Sequence, residues 1–188
     1  MGLDQFRTVV IAGLTQYYSR ADETQKIIIN CAFTAAVADA FAGSIPIISI
    51  PATIISCFGA VWVMYGILCD TLGITLKKNV LKLLARAALS NIAANLGGAM
   101  LTLLVGMFVP VGATISSAII SFVTVYIAGV VFLKTILNLA QKSSDPYSFS
   151  DISSREMKSE IKDVNVSEED LETAKKIYEE NKSNEQNQ

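Results

Sequence analysis

A chain of 188 residues that is 52% hydrophobic and only 17% charged, with a mean hydropathy of +0.45, exceeds ordinary soluble usage and reads as one membrane domain plus a tail. It contains no histidine, which excludes imidazole ligation of a metal and removes the commonest general base. Charge is unevenly placed: residues 1–142 hold nine Lys/Arg against five Asp/Glu and residues 143–188 hold six against twelve, so a basic body carries an acidic tail.

Residues 1–26 read as an amphipathic N-terminal helix and a linker. Phe6, Val9, Val10, Leu14, Tyr17 and Tyr18 recur at helical spacing, and Arg20 to Lys26 form a polar break. No secretory signal is expected from Met1 to Ser19, which lack a basic start, a long apolar core and a small-residue cleavage site. Ile27 to Gly43 is a first apolar arm, interrupted by Asp39. A carboxylate in hydrocarbon is costly, so Asp39 is a candidate intramembrane polar residue, unless it reaches water at the Ser44-Ile45-Pro46 turn. Ile47 to Cys69 is uncharged and reads as the returning arm, with Pro51 in its first turns. Cys31, Cys57 and Cys69 fall in or beside apolar runs without Cys-x-x-Cys spacing and read as inert thiols.

Between Asp70 and Arg86 the pattern changes. Leu76, Val80, Leu83 and Leu84 keep helical spacing, while Lys78, Lys82 and Arg86 recur every fourth residue on another face. With Lys77, this basic amphipathic surface helix suits the headgroup plane of an anionic bilayer. From Ala87 to Leu133 no residue is charged. A crossing takes about 20 apolar residues, so the run accommodates two, with a turn at Val109-Pro110-Val111-Gly112. Ala93 with Gly97, Ala94 with Gly98, and Ala113 with Ser117 and Ser121 recur every four residues as small faces for close helix packing. Asn91 and Asn95 lie four apart on the first arm and need partners across the bundle.

The fold class expected is all-α: a four-helix membrane domain of two helical hairpins over residues 27–142, followed by a charged, partly disordered tail over 143–188. In the tail, Ser167 with Asp170 three residues on gives a capping-box-like start to a short helix near 168–181. Leu171, Ala174 and Tyr178 share one face as a candidate partner-binding stripe. Arg7, Arg20, Lys26, the central basic group, Lys134 and Lys142 all flank the near ends of the hairpins, and the two far turns carry no Lys or Arg. The positive-inside bias then puts both termini and the central connector in the cytoplasm.

No phosphate-cradling Gly-x-x-x-x-Gly-Lys-Ser/Thr loop and no Gly-x-Ser-x-Gly elbow is present. The basic connector lacks the interleaved aromatics of a nucleic-acid surface. No enzymatic role and no cofactor is expected. The reading is a non-enzymatic integral membrane anchor or adaptor for a cytosolic protein. One alternative is a small oligomeric pore or transporter lined by Asp39, Asn91 and Asn95; another is a soluble all-helical interaction protein.

The order Ala35-Ala36-Val37-Ala38, Ile45-Pro46-Ile47, Ile50-Pro51-Ala52, Tyr65-Gly66, Leu72-Gly73-Ile74, Lys82-Leu83-Leu84-Ala85 and Val109-Pro110-Val111-Gly112 resembles the domain of unknown function 697 family. That family forms the helical membrane-associated region of YcjF-type bacterial proteins and also follows Era-like GTPase domains. The resemblance covers about residues 27–135 and implies a GTPase as partner. It departs from the family's Pro-Ile-Pro followed by aspartate, since Ile48 stands for the second proline and Ser49 for the acid. These 188 residues hold no GTPase domain, so the resemblance implies a nucleotide switch supplied by another polypeptide.

Overall fold

A computed structural model describes residues 21–42, 57–107, 113–143, 149 and 152–185, with side chains over 22–39, 57–96, 118–143, 149 and 152–181. The proposed N-terminal amphipathic helix, the Ser44-Ile45-Pro46 turn, Ile47 to Ser56 and the Val109 to Gly112 turn lie outside the described residues. Those described form six helices and no strand: α1 (Ala21–Ala42), α2 (Phe58–Leu72), α3 (Lys78–Met107), α4 (Ala113–Lys142), α5 (Ser154–Asp163) and α6 (Glu168–Glu185).

The most apolar long helix is the hub. In α4 every residue from Ser121 to Gly129 is buried, as expected of a helix that is hydrophobic all round. The run is rich in β-branched residues, weak helix formers, so its helicity rests on tertiary packing rather than propensity. α1, α2, α3, α5 and α6 all pack against α4. α1 lies antiparallel to it, Ile28 meeting Gly129 and Asp39 meeting Ser121. The approach is close because position 129 has no Cβ. One placed there would stand 2.7 Å from Ile28 Cγ1 and 2.9 Å from its Cγ2 and Cδ1. On α2, the buried Tyr65 stacks on Phe132 at 4.2 Å between ring centroids and donates its hydroxyl to the Ala128 carbonyl at 2.8 Å.

Helix boundaries follow local chemistry. The polar stretch from Ala21 to Lys26 is the start of α1 rather than a break, with Asp22 and Glu23 in the first turn where they complement the helix dipole. α2 stops at Gly73, in the left-handed region at φ 69°. There the Ile74 N–H bonds the Cys69 carbonyl at 2.8 Å and the Gly73 N–H bonds that of Asp70 at 3.2 Å, a Schellman ending with Ile74 buried. After four residues α3 begins, the Lys77 carbonyl accepting from Val80 and Leu81. The basic helix and the first arm of the second hairpin are thus one unbroken helix of 30 residues, since no proline interrupts it and the change from charged to uncharged side chains leaves backbone hydrogen bonding untouched.

The tail is more ordered than its composition indicates. α5 carries a full capping box: Glu156 N–H donates to Ser153 Oγ at 3.2 Å and Ser153 N–H to Glu156 Oε2 at 2.9 Å. α6 repeats the arrangement with Asp170 N–H to Ser167 Oγ at 3.3 Å and Ser167 N–H to Asp170 Oδ2 at 3.0 Å. α5 packs against α3 and α4, and α6 against α4.

Candidate functional site

The polar side chains of the body converge where the tail docks. Asn91, buried on α3, donates its amide to the carbonyls of Ile161 at 2.8 Å and Val164 at 3.0 Å, at the C-terminal end of α5. Four unpaired carbonyls end any helix, and Asn91 satisfies two on this segment. Asn95, exposed one turn on, donates to both the side-chain and backbone oxygens of Asn91, the latter at 3.0 Å. Asn91 is thus the interhelical tie between body and tail, and Asn95 braces it from within α3.

On α4, Lys134, Asn138 and Lys142 recur every fourth residue and face the tail. Lys134 pairs with Asp170 at 3.2 Å, Asn138 donates to Glu160 Oε1 at 2.9 Å, and Lys142 pairs with Glu160 Oε2. Burial alone would raise the Asp170 carboxyl, but the Ser167 N–H and the Lys134 ammonium outweigh it and hold the group below its ordinary value. Beside this pair an open cleft of about 510 Å³ is lined by Lys134, Asn138, Asp163, Asn165, Glu169 and Thr173 among others. Among the described residues no group of His, Cys, Asp or Glu could hold a metal ion. Lys134, Asn138, Lys142 and Glu160 were not anticipated as site residues, although the every-fourth-residue spacing on α4 was legible.

The stripe Leu171, Ala174 and Tyr178 is buried, and it faces the body of its own chain. Tyr178 stacks on Phe33 of α1 at 5.7 Å and lies 5.2 Å from Phe122 of α4. This corrects its reading as a free docking stripe: apolar surface was available closer at hand than on any partner. Asp39 is half-buried and accepts a hydrogen bond from the Ser121 hydroxyl. It lies at the α1–α4 contact, whereas Asn91 and Asn95 lie at the α3–α5 contact, so the three expected pore-lining residues do not converge.

Of the expected packing residues, Ser121 is buried with its hydroxyl bonded to Asp39 of α1, while Ala93 and Ala94 are exposed. What meets Gly97, Gly98, Ala113 and Ser117 lies outside the described side chains. Lys77, Lys78, Lys82 and Arg86 are all exposed. Lys82 Nζ stands 4.7 Å from the centroid of the Trp62 ring, and Arg86 Cζ 5.5 Å from that of Phe58. The aromatic partners on α2 were not foreseen, because sequence spacing does not pair separate helices.

Among the described residues one helical stretch, Ala118–Lys142, is long and apolar enough to cross a membrane, and most of its apolar part is already buried by other helices of the chain. Phe58–Leu72 is apolar but shorter, at 15 residues. The chain matches no protein-family model, no curated protein and no solved structure.

Proposed function

We propose that this chain is a non-enzymatic membrane anchor that holds a cytosolic protein at the bilayer surface. The carrying observation is charge separation along the bundle. Residues 40–69 and 87–133 contain no charged side chain, while the ion pairs of Lys134 with Asp170 and of Lys142 with Glu160 lie on the C-terminal half of α4. An uncharged end suits hydrocarbon and a charged end suits water.

The docked tail favours partial entry over the two complete crossings expected from sequence. α6 runs along α4 from the level of Lys134 to that of Phe122, and its outward residues Glu168, Glu169, Glu172, Glu179 and Glu180 are exposed. A crossing that used Ala113 to Leu133 would carry those carboxylates into hydrocarbon. The reading is therefore a shallow seating in one leaflet, with the basic connector at the headgroups on the cytoplasmic side and the tail and both termini in the cytoplasm. The partner meets the acidic outer face of α6 and the adjoining cleft, and the family resemblance makes a GTPase the first candidate.

The test is flotation with vesicles after carbonate washing, combined with single cysteines in a variant lacking Cys31, Cys57 and Cys69. A cysteine at Asn79 should react with impermeant reagents from the cytoplasmic side, and cysteines at Ser44 and Thr114 from neither side. Reaction of the latter two from outside would restore the two full crossings. Complete release by carbonate would establish the soluble interaction protein instead.

A further inference from the structure

The three exposed large apolar side chains among the described residues are Val37 on α1, at 51%, and Val63 and Ile67 on α2, at 55% and 41%. The two helices pack against each other. Val63 and Ile67 are one turn apart and share the outer face of α2 with Gly59 and Gly66, where an added Cβ would meet nothing within 4 Å. Along the flank of this face run the two cation–ring pairs, Lys82 with Trp62 and Arg86 with Phe58. Lys78 lies one turn before Lys82, and among the described residues no carboxylate pairs with Lys77, Lys78, Lys82 or Arg86.

The geometry points to the outer face of α2, with the basic flank of α3, as an in-plane docking surface for an anionic bilayer. Val63, Ile67 and Phe58 enter the acyl boundary, Trp62 sits at headgroup depth, and Lys78, Lys82 and Arg86 contact lipid phosphates. This rests on the membrane reading above and specifies the face and the lipid class. Aromatic rings with a polar edge favour that depth, and unpaired cations beside exposed aliphatic side chains form the amphipathic pattern of interfacial helices. Orientation follows from spacing. Lys78 to Arg86 covers eight residues, about 12 Å along the axis; an upright helix would spread the cations over that depth, whereas an in-plane one brings them to one level. The acidic tail does not compete for this surface: Asn91, which holds α5, is nine residues from Lys82 and so about 180° around α3 from it.

Trp62 is the one tryptophan of the chain and reports on this face directly. The full-length protein is combined with vesicles of phosphatidylcholine alone or with about a third phosphatidylserine, carrying bromine at a shallow or a deep acyl position. Trp62 emission should shift to the blue and be quenched more by shallow than by deep bromine, and more strongly on anionic vesicles. Replacing Lys78, Lys82 and Arg86 by glutamine should weaken the anionic preference roughly a hundredfold, at about a fivefold effect for each cation near an anionic surface. Val63→Glu with Ile67→Glu, both at exposed positions, should abolish the quenching while circular dichroism stays unchanged. Unquenched Trp62 in protein that still floats would overturn the assignment of this face and leave the anchor intact. Failure to float with vesicles of either kind would remove the anchor too. A Trp62 shift that needs no lipid and tracks dimer formation in sedimentation would assign the face to a second copy of the chain and overturn the proposal.

Discussion

Gly129 is the position at which the smallest side-chain change should matter most. Sequence reasoning expects substitution there, near the cytoplasmic end, to be milder than at Gly97 or Gly98. At Gly129 Ile28 is seated where a Cβ would be, with three side-chain atoms under 3.0 Å away, so substitution there is not mild. Gly129→Ala should lower stability by about 1–3 kcal/mol, the usual cost of overpacking, and Ile28→Ala in the same chain should recover part of it; thermal unfolding of the two variants is the measurement. A second residue-scale expectation concerns Asn91. Asn91→Ala strands the Ile161 and Val164 carbonyls in a dry contact, a loss of about 1–3 kcal/mol. Hydrogen exchange should place that loss in α5, and uniform deprotection of the bundle would contradict it.

At the scale of elements, α3 and α4 were legible because uncharged runs of that length are rare and carry helical signals throughout. Sequence reasoning ended the returning arm at Cys69, three residues before α2 closes at Leu72. α5 was missed although Ser153-Ser154-Arg155-Glu156 spells its capping box, because only Met157 and Ile161 of its residues are buried, too few to set up a visible apolar period in ten residues. The docking of α6 was not legible either: Leu171, Ala174 and Tyr178 mark a face that wants covering, and nothing in their spacing says whether the cover is internal. The ion pairs give this docking a testable pH dependence. Asp170 titrates below its ordinary value in the folded chain, so its contribution is complete above the unfolded value and is lost as pH falls through the folded one. Protection of α6 amides should therefore fall on acidification below about pH 4, and Asp170→Asn should flatten that part of the profile. Exchanging the charges, Lys134→Asp with Asp170→Lys, should restore the ion pair alone, about 0.2–1 kcal/mol for an exposed pair, and leave lost the cap that Asp170 gives the Ser167 N–H.

Across the whole molecule the tail behaves as part of the fold. Removing residues 153–188 uncovers Phe33, Phe122 and Asn91 together, so the shortened chain should stay with membranes yet bind a hydrophobic dye several-fold more strongly than the full chain. Equal dye binding would mean that the tail leaves the body readily. The arrangement also bears on the order of synthesis. α4, the helix apolar enough for a bilayer, is translated before the two helices that cover one side of it, and domains fold as the chain emerges at about 5–20 residues per second. For the seconds before α6 is made, Lys134 and Lys142 face water unpaired while the aromatic surface around Phe122 stays bare. Under the proposed anchor function that interval is the one in which the hairpin can settle into a lipid surface, and the late docking of α5 and α6 then acts as a doorstop against deeper entry.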